Sequence, residues 1–262
     1  MYIKEVVEEM EQNHTRSLEA NKLMIKQFDK YLLGGEIPDN LLSHLSLYFL
    51  TKFHKSVLSF RMLVVLGFDE DASIILRTLV ESVITLGYIS NKPEERIDRF
   101  IEYEYIAQYK LLQVIDKHYS STIISEERRS QIEQDYELHK QKFKNKAQWS
   151  DKKISEMAEE IGMNFWYEAV YKYDSSYVHS NISATRGFML EGTEGLLLAV
   201  GPQVFNATDL VSKVSELSRI ILYIGLKNIG IDTTELLETW SEAQELIQEE
   251  FRLQPKEENN FA

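Results

Sequence analysis

A short stretch between Lys172 and Ala184 concentrates side chains that could take part in chemistry. It reads KYDSSYVHSNISA and holds an aspartate, an asparagine, two tyrosines, four serines and a single histidine. That histidine, His179, titrates near neutral pH, so it can act as an acid, a base or a hydrogen-bond donor. We predict that the stretch is helical, with Ser175 and His179 on one face. This polar face is either a catalytic or ligand site or a contact between packed helices.

A second unusual feature is a pair of opposite charges inside an apolar segment. Residues 72–89 read ASIILRTLVESVITLGYI, which is apolar on nearly every side of a helix. Such a helix is expected to be the central, buried element of the fold. Arg77 and Glu81 are four residues apart and share a face. Because buried charges must be paired, they form either an internal ion pair or part of a cleft that binds an anion or positions a base.

These two features suggest a single site. We hypothesise that Arg77, Glu81 and His179 meet in one polar pocket, with His179 pointing inward. The guanidinium would offer a fixed cationic fork to a phosphate or carboxylate, and Glu81 would orient the guanidinium or the imidazole. The candidate ligand-binding residues are Tyr177, Ser180, Asn181 and Lys172.

Several other chemistries lack the residues that they need. The sequence has no cysteine, which excludes disulfides, thiolate zinc sites and cysteine nucleophiles. It also lacks a phosphate-binding loop, a dinucleotide-binding glycine pattern, a nucleophile elbow and a His-Glu-x-x-His zinc motif. Asp135 with His139, and Glu11 with His14, each offer two ligands at helical spacing, whereas a metal site needs three or four. The sequence therefore predicts neither a metal site nor a cofactor.

The segment 140–153 is basic although the chain as a whole is acidic. The formal net charge is −13, which disfavours broad, nonspecific coating of nucleic acids. Within this segment, Phe143 and Trp149 are interleaved with lysines, a pattern that can hold an RNA backbone and stack on its bases. A solvated helix end is the alternative. The candidate RNA contacts are Lys140, Lys142, Lys144 and Lys146.

The elements that must position these residues are helices. With only 4 proline and 11 glycine residues, the chain has few helix breakers. Apolar periodicity predicts an all-α, multi-helix bundle of about eight helices, with one small β-hairpin or ordered loop near residues 187–201. We expect a single helical domain over residues 1–253, in which 1–17 form a projecting helical arm, followed by a frayed tail at 254–262.

Location and assembly follow from the same patterns. The N-terminal residues are acidic where a signal peptide is basic and then apolar, and no uncharged apolar run reaches the roughly 18 residues of a membrane span. A chain without cysteine also fits a cytoplasmic protein.

The apolar faces of residues 1–33 and 39–66 have more apolar surface than a compact monomer readily buries. We therefore predict a homo-oligomer.

The motifs resemble those of an uncharacterised bacterial helical family, the domain of unknown function fifty-six seventy-seven. The resemblance rests on ILRTLVESVITLGYI, on YVHSN about a hundred residues later, and on the glycine-rich GFMLEG and GP, and it spans residues 40–230. A more distant likeness is to the HEPN helical ribonucleases and toxins, whose motif places an arginine shortly before a histidine on one helix. At His179 the place of that arginine is held by Lys172, with six residues between them. Lysine lacks the guanidinium fork, so either Arg77 replaces it from another helix or the site is of another type.

Two functions are compatible with these residues and likenesses. The likeness to HEPN proteins implies a metal-independent ribonuclease or toxin-type effector, in a setting such as bacterial phage defence, with His179 as acid and base and Arg77 on the phosphate. The alternative is a non-catalytic helical binding or scaffold protein that uses the polar seam around Arg77, Glu81 and His179. The sequence alone leaves open whether the protein is an enzyme.

Overall fold

The chain folds as an all-α bundle, as its sequence predicts. The computed structural model describes residues 2–34, 37–119, 123–143, 148–173, 175, 189–192, 195–198, 200–203 and 206–253. The helices are α1 (Tyr2–Asn13), α2 (Thr15–Leu33), α3 (Leu41–Val65), α4 (Asp69–Asn91), α5 (Pro93–His118), α6 (Glu126–His139), α7 (Ile154–Glu160), α8 (Ala207–Ile229) and α9 (Thr234–Leu253). A short 3₁₀ helix follows α6 at Lys140–Lys142, and a π-helix spans Trp166–Tyr171.

Two short strands lie in the segment near residues 187–201, for which the sequence predicts a hairpin or an ordered loop. Strand β1 (Met189–Gly192) pairs antiparallel with β2 (Gly195–Leu198), and Met189 is the partner of Leu198. Each strand has only four residues, so the fold remains an all-α bundle.

Local sequence sets several of the helix ends. The Asn40 side chain accepts a hydrogen bond from the Ser43 amide at 2.9 Å and caps α3, and Ser125 caps α6 in the same way. Pro93 occupies the first turn of α5, where its missing amide hydrogen is not needed. Gly230 ends α8 in the left-handed conformation, with φ of 82°.

Helix α4 is the central element, and its predicted burial is confirmed. It packs against α3, α8, α7, the π-helix and the start of α5. Its fully buried side chains are Ala72, Leu76, Leu79, Val80, Val83, Ile84, Leu86 and Ile89. By length and composition α4 could cross a membrane, but 67% of that apolar window is buried inside the bundle, as in the core helix of a soluble protein.

The remaining helices enclose this centre. Helices α2 and α9 pack against each other and against α8, which in turn covers α3 and α4. Gly225 lets α8 approach α3 closely, because a Cβ there would stand 2.8 Å from the buried Leu50 side chain. Met10 of α1 is fully buried, so at this residue the helix lies against the bundle. The predicted limits of the domain and of its arm and tail stay predictions.

Helices α5 and α6 form a hairpin with a small core of its own. Ile106, Tyr136 and Phe143 make up this second cluster, which is separate from the main core. Tyr109 and Tyr136 stack with their ring centroids 3.8 Å apart. Among the described residues of α5, those around Ile97 and Phe100 in its first part pack against the main core.

Candidate functional site

Arg77 is held at two edges of its guanidinium by hydroxyl groups. Its Nε donates a hydrogen bond to Ser175 Oγ at 3.0 Å, and its Nη2 donates to Tyr171 Oη at 2.7 Å. The guanidinium carbon also lies 4.2 Å from the centroid of the Tyr171 ring. These contacts fix the position and the plane of the cation.

Glu81 lies beside Arg77 and is the more exposed of the two side chains. Its Oε2 lies 3.8 Å from Arg77 Nη1, an ion pair without a close hydrogen bond. The Tyr171 hydroxyl donates to the same oxygen at 3.4 Å. The Arg77 side chain is 22% exposed and that of Glu81 is 48% exposed. The pair therefore lies at a partly exposed surface, as expected for a cleft. Through Tyr171 and Ser175 it also connects α4 to the neighbouring segment, as expected for a structural ion pair.

The tyrosine of the cluster has a perturbed acidity. Burial raises the pKa of the Tyr171 hydroxyl, and the neighbouring Glu81 carboxylate raises that pKa further. The hydroxyl therefore stays protonated at neutral pH, when it can accept from Arg77 and donate to Glu81 simultaneously. We call Arg77, Glu81, Tyr171 and Ser175 the Arg77 cluster.

A π-helix delivers the two hydroxyl groups. The segment Trp166–Tyr171 has the wider turn of a π-helix, a rare conformation that is frequent at functional sites. The hydroxyl of Ser175 donates to the Tyr171 carbonyl at 2.6 Å, so Ser175 is tied to the end of this wider turn. The Tyr167 ring stacks on the Tyr171 ring with the centroids 5.4 Å apart.

The structure places some of the predicted site residues and not others. Arg77 and Glu81 are together, as predicted. Lys172 pairs with Glu168 at 3.1 Å, and its side chain is 67% exposed. The other predicted members lie outside the described residues, so the shared pocket stays a prediction; these are His179, Tyr177, Ser180 and Asn181.

Tyr171 is the member of the cluster that sequence reasoning missed. A usable signal was present, because Tyr171 precedes Ser175 by four residues and Ser175 precedes His179 by four. Such spacing puts side chains on one helical face. The tyrosine is inconspicuous in the sequence because the surrounding residues, FWYEAVY, have the apolar composition of a core segment.

The described part of the basic segment is largely neutralised. Lys140 pairs with Glu137 at 2.5 Å, and Lys142 contacts both carboxylate oxygens of Glu102 at 2.5 and 2.7 Å. Phe143 is buried in the α5–α6 core and so cannot stack on a base. Lys144 and Lys146 lie outside the described residues.

The two helical pairs with metal-ligand spacing are engaged elsewhere. His139 Nδ1 lies 2.8 Å from the Asp135 backbone carbonyl, and its ring stacks on Tyr105 at 4.3 Å. His14 Nδ1 lies 2.9 Å from Thr208 Oγ1. Within the part of the chain that the structure describes, no group of three or more metal-ligating side chains converges.

Comparison with known families agrees with the motifs of the sequence. Residues 43–196, more than half of the chain, match the family described as "Family of unknown function (DUF5677)". The chain belongs to this family. Predicted membership in an uncharacterised family is thus confirmed, and the DUF5677 match contains the whole Arg77 cluster. No curated protein and no solved structure matches the chain.

Proposed function

We propose that this DUF5677 protein is a metal-independent ribonuclease or toxin-type effector in which the Arg77 cluster binds a phosphate group of RNA. The proposal rests on the hydrogen bonds of the Arg77 guanidinium and on its distance from a carboxylate. Two of its edges are held by neutral hydroxyls, and among the described residues its nearest carboxylate oxygen, Oε2 of Glu81, lies 3.8 Å away. The cation is therefore pre-oriented but not fully neutralised, which is what a phosphate site requires.

Two other arginines of the same chain provide the contrast. Arg129 makes a two-pronged contact with Asp116 at 2.7 and 2.8 Å, which neutralises its fork. Arg96 donates to Glu160 at 2.5 Å and to the Tyr88 backbone carbonyl. These arginines have the close carboxylate partners that are typical of structural ion pairs, whereas the part of the chain that the structure describes gives Arg77 only the Glu81 oxygen at 3.8 Å.

His179 supplies the acid–base chemistry in this proposal. It follows Ser175 by four residues, so a continued helix would bring its ring to the face that meets Arg77. The 2′-hydroxyl oxygen of RNA attacks the adjacent phosphorus while His179 accepts the hydroxyl proton. The bond from phosphorus to the 5′-oxygen breaks, that oxygen takes a proton from water, and protonated His179 returns its proton to the hydroxide that remains. The products are a 2′,3′-cyclic phosphate and a 5′-hydroxyl, and no metal ion takes part.

The test is cleavage of a labelled single-stranded RNA by the purified protein in the presence of a chelator. We expect cleavage by the unaltered protein, and none by His179→Ala purified in the same way, which also controls for contaminating nucleases. The His179→Ala protein should melt within a few degrees of the unaltered one. Arg77→Lys, which keeps the charge but loses the fork, should cleave at least tenfold more slowly. Equal cleavage by all three proteins would contradict the proposal.

The mutual bonding of the cluster favours a second candidate, a non-catalytic helical binding protein. Arg77, Tyr171, Ser175 and Glu81 already bond to one another, as in a structural seam. In that case RNA remains intact with every variant. His179→Ala would then lower the free energy of unfolding by roughly 1–3 kcal/mol, because a buried partner is left unpaired.

A further inference from the structure

A second polar site lies where α4 ends and α5 begins. Residues 149–160 cross this junction and enclose a cavity of about 310 Å³. Its lining includes Tyr88 of α4, Arg96 and Arg99 of α5, and Trp149 and Ser150 of the crossing segment. The volume is in the range of small-molecule sites.

The cavity has a rigid, charged lining. Arg96 is 7% exposed, its guanidinium carbon lies 3.5 Å from the centroid of the Tyr88 ring, and its Nη2 donates to Glu160 at 2.5 Å. Hydrogen bonds from Lys152 and Arg96 lower the pKa of the Glu160 carboxyl to about 2. Glu160 is therefore ionised at neutral pH, and the network around it is preformed before any ligand binds.

Several hydrogen-bond donors around the cavity have no acceptor among the described residues. Arg99 donates through Nε to the Trp149 carbonyl at 2.8 Å and through Nη2 to Asp151 at 2.6 Å, and no described residue accepts from its Nη1. The Ser150 hydroxyl, 2% exposed, accepts from the Lys152 amide at 3.0 Å, and its own hydrogen has no acceptor in the described ranges. The Lys92 ammonium lies 3.8 Å from its nearest carboxylate, Glu95. The lining holds four cationic side chains and three carboxylates, and this excess of positive charge favours an anion as the occupant; they are Lys92, Arg96, Arg99 and Lys152, and Glu95, Asp151 and Glu160.

Aromatic rings form the apolar part of the lining. The Trp149 ring stands edge-on to Tyr88 at 5.9 Å and to Phe100 at 5.1 Å, and these contacts hold it in place. A fixed indole beside a cavity offers a surface to a flat ring. We propose that the cavity binds a small organic anion in which a flat ring carries a phosphate or carboxylate group.

This site is distinct from the Arg77 cluster. Tyr88 follows Arg77 by eleven residues on α4, which is about three helical turns, or about 16 Å, along the same face. The two sites are therefore separate but lie along one stripe of the central helix. A small ligand in the cavity does not reach the Arg77 guanidinium, so the two sites can be tested independently.

Calorimetric titration of the full chain tests the proposal with adenosine 5′-monophosphate, benzoate, inorganic phosphate and adenosine as probes. We expect one molecule of the monophosphate or of benzoate to bind per chain, and the anion that binds identifies the preferred group. Adenosine should not bind detectably, and inorganic phosphate should bind more weakly than the ring-bearing anion. No binding of either ring-bearing anion up to about 5 mM, where even weak sites give a signal, would overturn the proposal.

Three variants locate the probe. Lys92→Gln removes an exposed donor that the fold does not need and should weaken binding about tenfold. Ser150→Ala removes only the buried hydroxyl and should also weaken binding, with circular dichroism confirming the fold. Lys213→Gln removes a surface charge on α8, where Lys213 pairs with Asp209 at 2.6 Å, and should leave binding unchanged.

Two results of these titrations would contradict the assignment. Equal affinity in the Lys92→Gln, Ser150→Ala and Lys213→Gln proteins would show that the cavity does not hold the probe. Loss of binding in Arg77→Gln would place the probe at the Arg77 cluster. Retained binding in Arg77→Gln, together with loss in Lys92→Gln, supports the cavity even if no RNA is cleaved, so failure of one proposal does not imply failure of the other.

Discussion

At the scale of single residues, the Tyr171 hydroxyl connects the two charges of the candidate site. It accepts a hydrogen bond from Arg77 and donates one to Glu81, at 2.7 and 3.4 Å. A hydroxyl can bridge a cation and an anion in this way because it has both a donor and acceptor lone pairs. The bridge keeps Glu81 near Arg77 without a tight ion pair. Part of the positive charge of the guanidinium therefore remains uncompensated.

Tyr171→Phe should therefore affect both stability and function. We expect the free energy of unfolding to fall by about 1 kcal/mol, as for one lost hydrogen bond, and RNA cleavage to slow about tenfold because Arg77 loses its orientation. Urea denaturation and single-turnover cleavage measure the two effects. Tyr167→Phe is the matched control, because Tyr167 stacks on Tyr171 and its hydroxyl has no hydrogen bond among the described residues. Identical behaviour of the two variants would refute the bridging role.

Glu160 gives a prediction about pH. Its carboxyl has a folded-state pKa of about 2, compared with the ordinary value of 4.5, because Lys152 and Arg96 donate to it. A lowered pKa means that ionised Glu160 stabilises the folded state above pH 4.5, and that this contribution is lost as the pH falls toward 2. Glu160→Gln should lower the melting temperature at neutral pH by about 2–5 °C. The difference from the unaltered protein should shrink below about pH 4.5. A difference that does not change with pH would contradict the assignment.

At the scale of elements, α4 combines two functions in one helix. Its apolar sides form the centre of the core, while Arg77 and Glu81 leave the core on the side covered by the π-helix. The Asn228 side chain donates to Ser46 at 2.9 Å and to Ser90 at 2.8 Å, which links α8, α3 and α4 through buried or half-buried polar groups. The candidate site is therefore built on the helix at the centre of the core.

Leu79→Asp tests the central position of α4. Leu79 is fully buried, and an unpaired charge in its place has no partner that compensates its lost hydration. We expect the variant to be unfolded or insoluble, as judged by circular dichroism and expression. Leu111→Asp on α5 is the control, because Leu111 is 59% exposed and its change should leave the melting temperature nearly constant. A soluble Leu79→Asp protein with an unchanged melting temperature would place α4 at the surface.

At the scale of the whole molecule, stability is unevenly distributed. The main core joins α2, α3, α4, α8 and α9, whereas the distal part of the α5–α6 hairpin depends on the small cluster around Ile106, Tyr136 and Phe143. Segments with little buried apolar surface open locally more often than the core does. We expect amide hydrogens of residues 104–139 to exchange faster than those of α4 and α8. Equal protection in both regions would show that the hairpin unfolds only together with the core.

Self-association is a second property of the whole molecule, and it remains a prediction from sequence. Large apolar side chains are exposed on the α5–α6 hairpin, among them Leu111, Val114 and Leu138, at 59%, 52% and 73% exposure. Exposed apolar side chains of this kind favour association. Light scattering at micromolar concentration should give a mass above that of the 30.6 kDa monomer. The monomer mass would contradict the prediction.

The sequence by itself determined the helical class, the central helix and the spacing of Arg77 and Glu81. These features depend on local rules, since apolar periodicity, caps and glycine stops act within a few turns. The helix predicted for the apolar segment 72–89 thus corresponds closely to α4, Asp69–Asn91. Tertiary structure alone decided that Tyr171, 94 residues away in sequence, contacts Arg77. The wider turn of the π-helix changes which side chains share a face, and a pattern read at 3.6 residues per turn does not include that change.

Tertiary structure also paired Lys142 with Glu102, 40 residues apart in sequence. This ion pair compensates the charge of a lysine that the sequence predicted to contact RNA. Ion pairs between distant residues depend on how helices pack, and no local pattern encodes that packing.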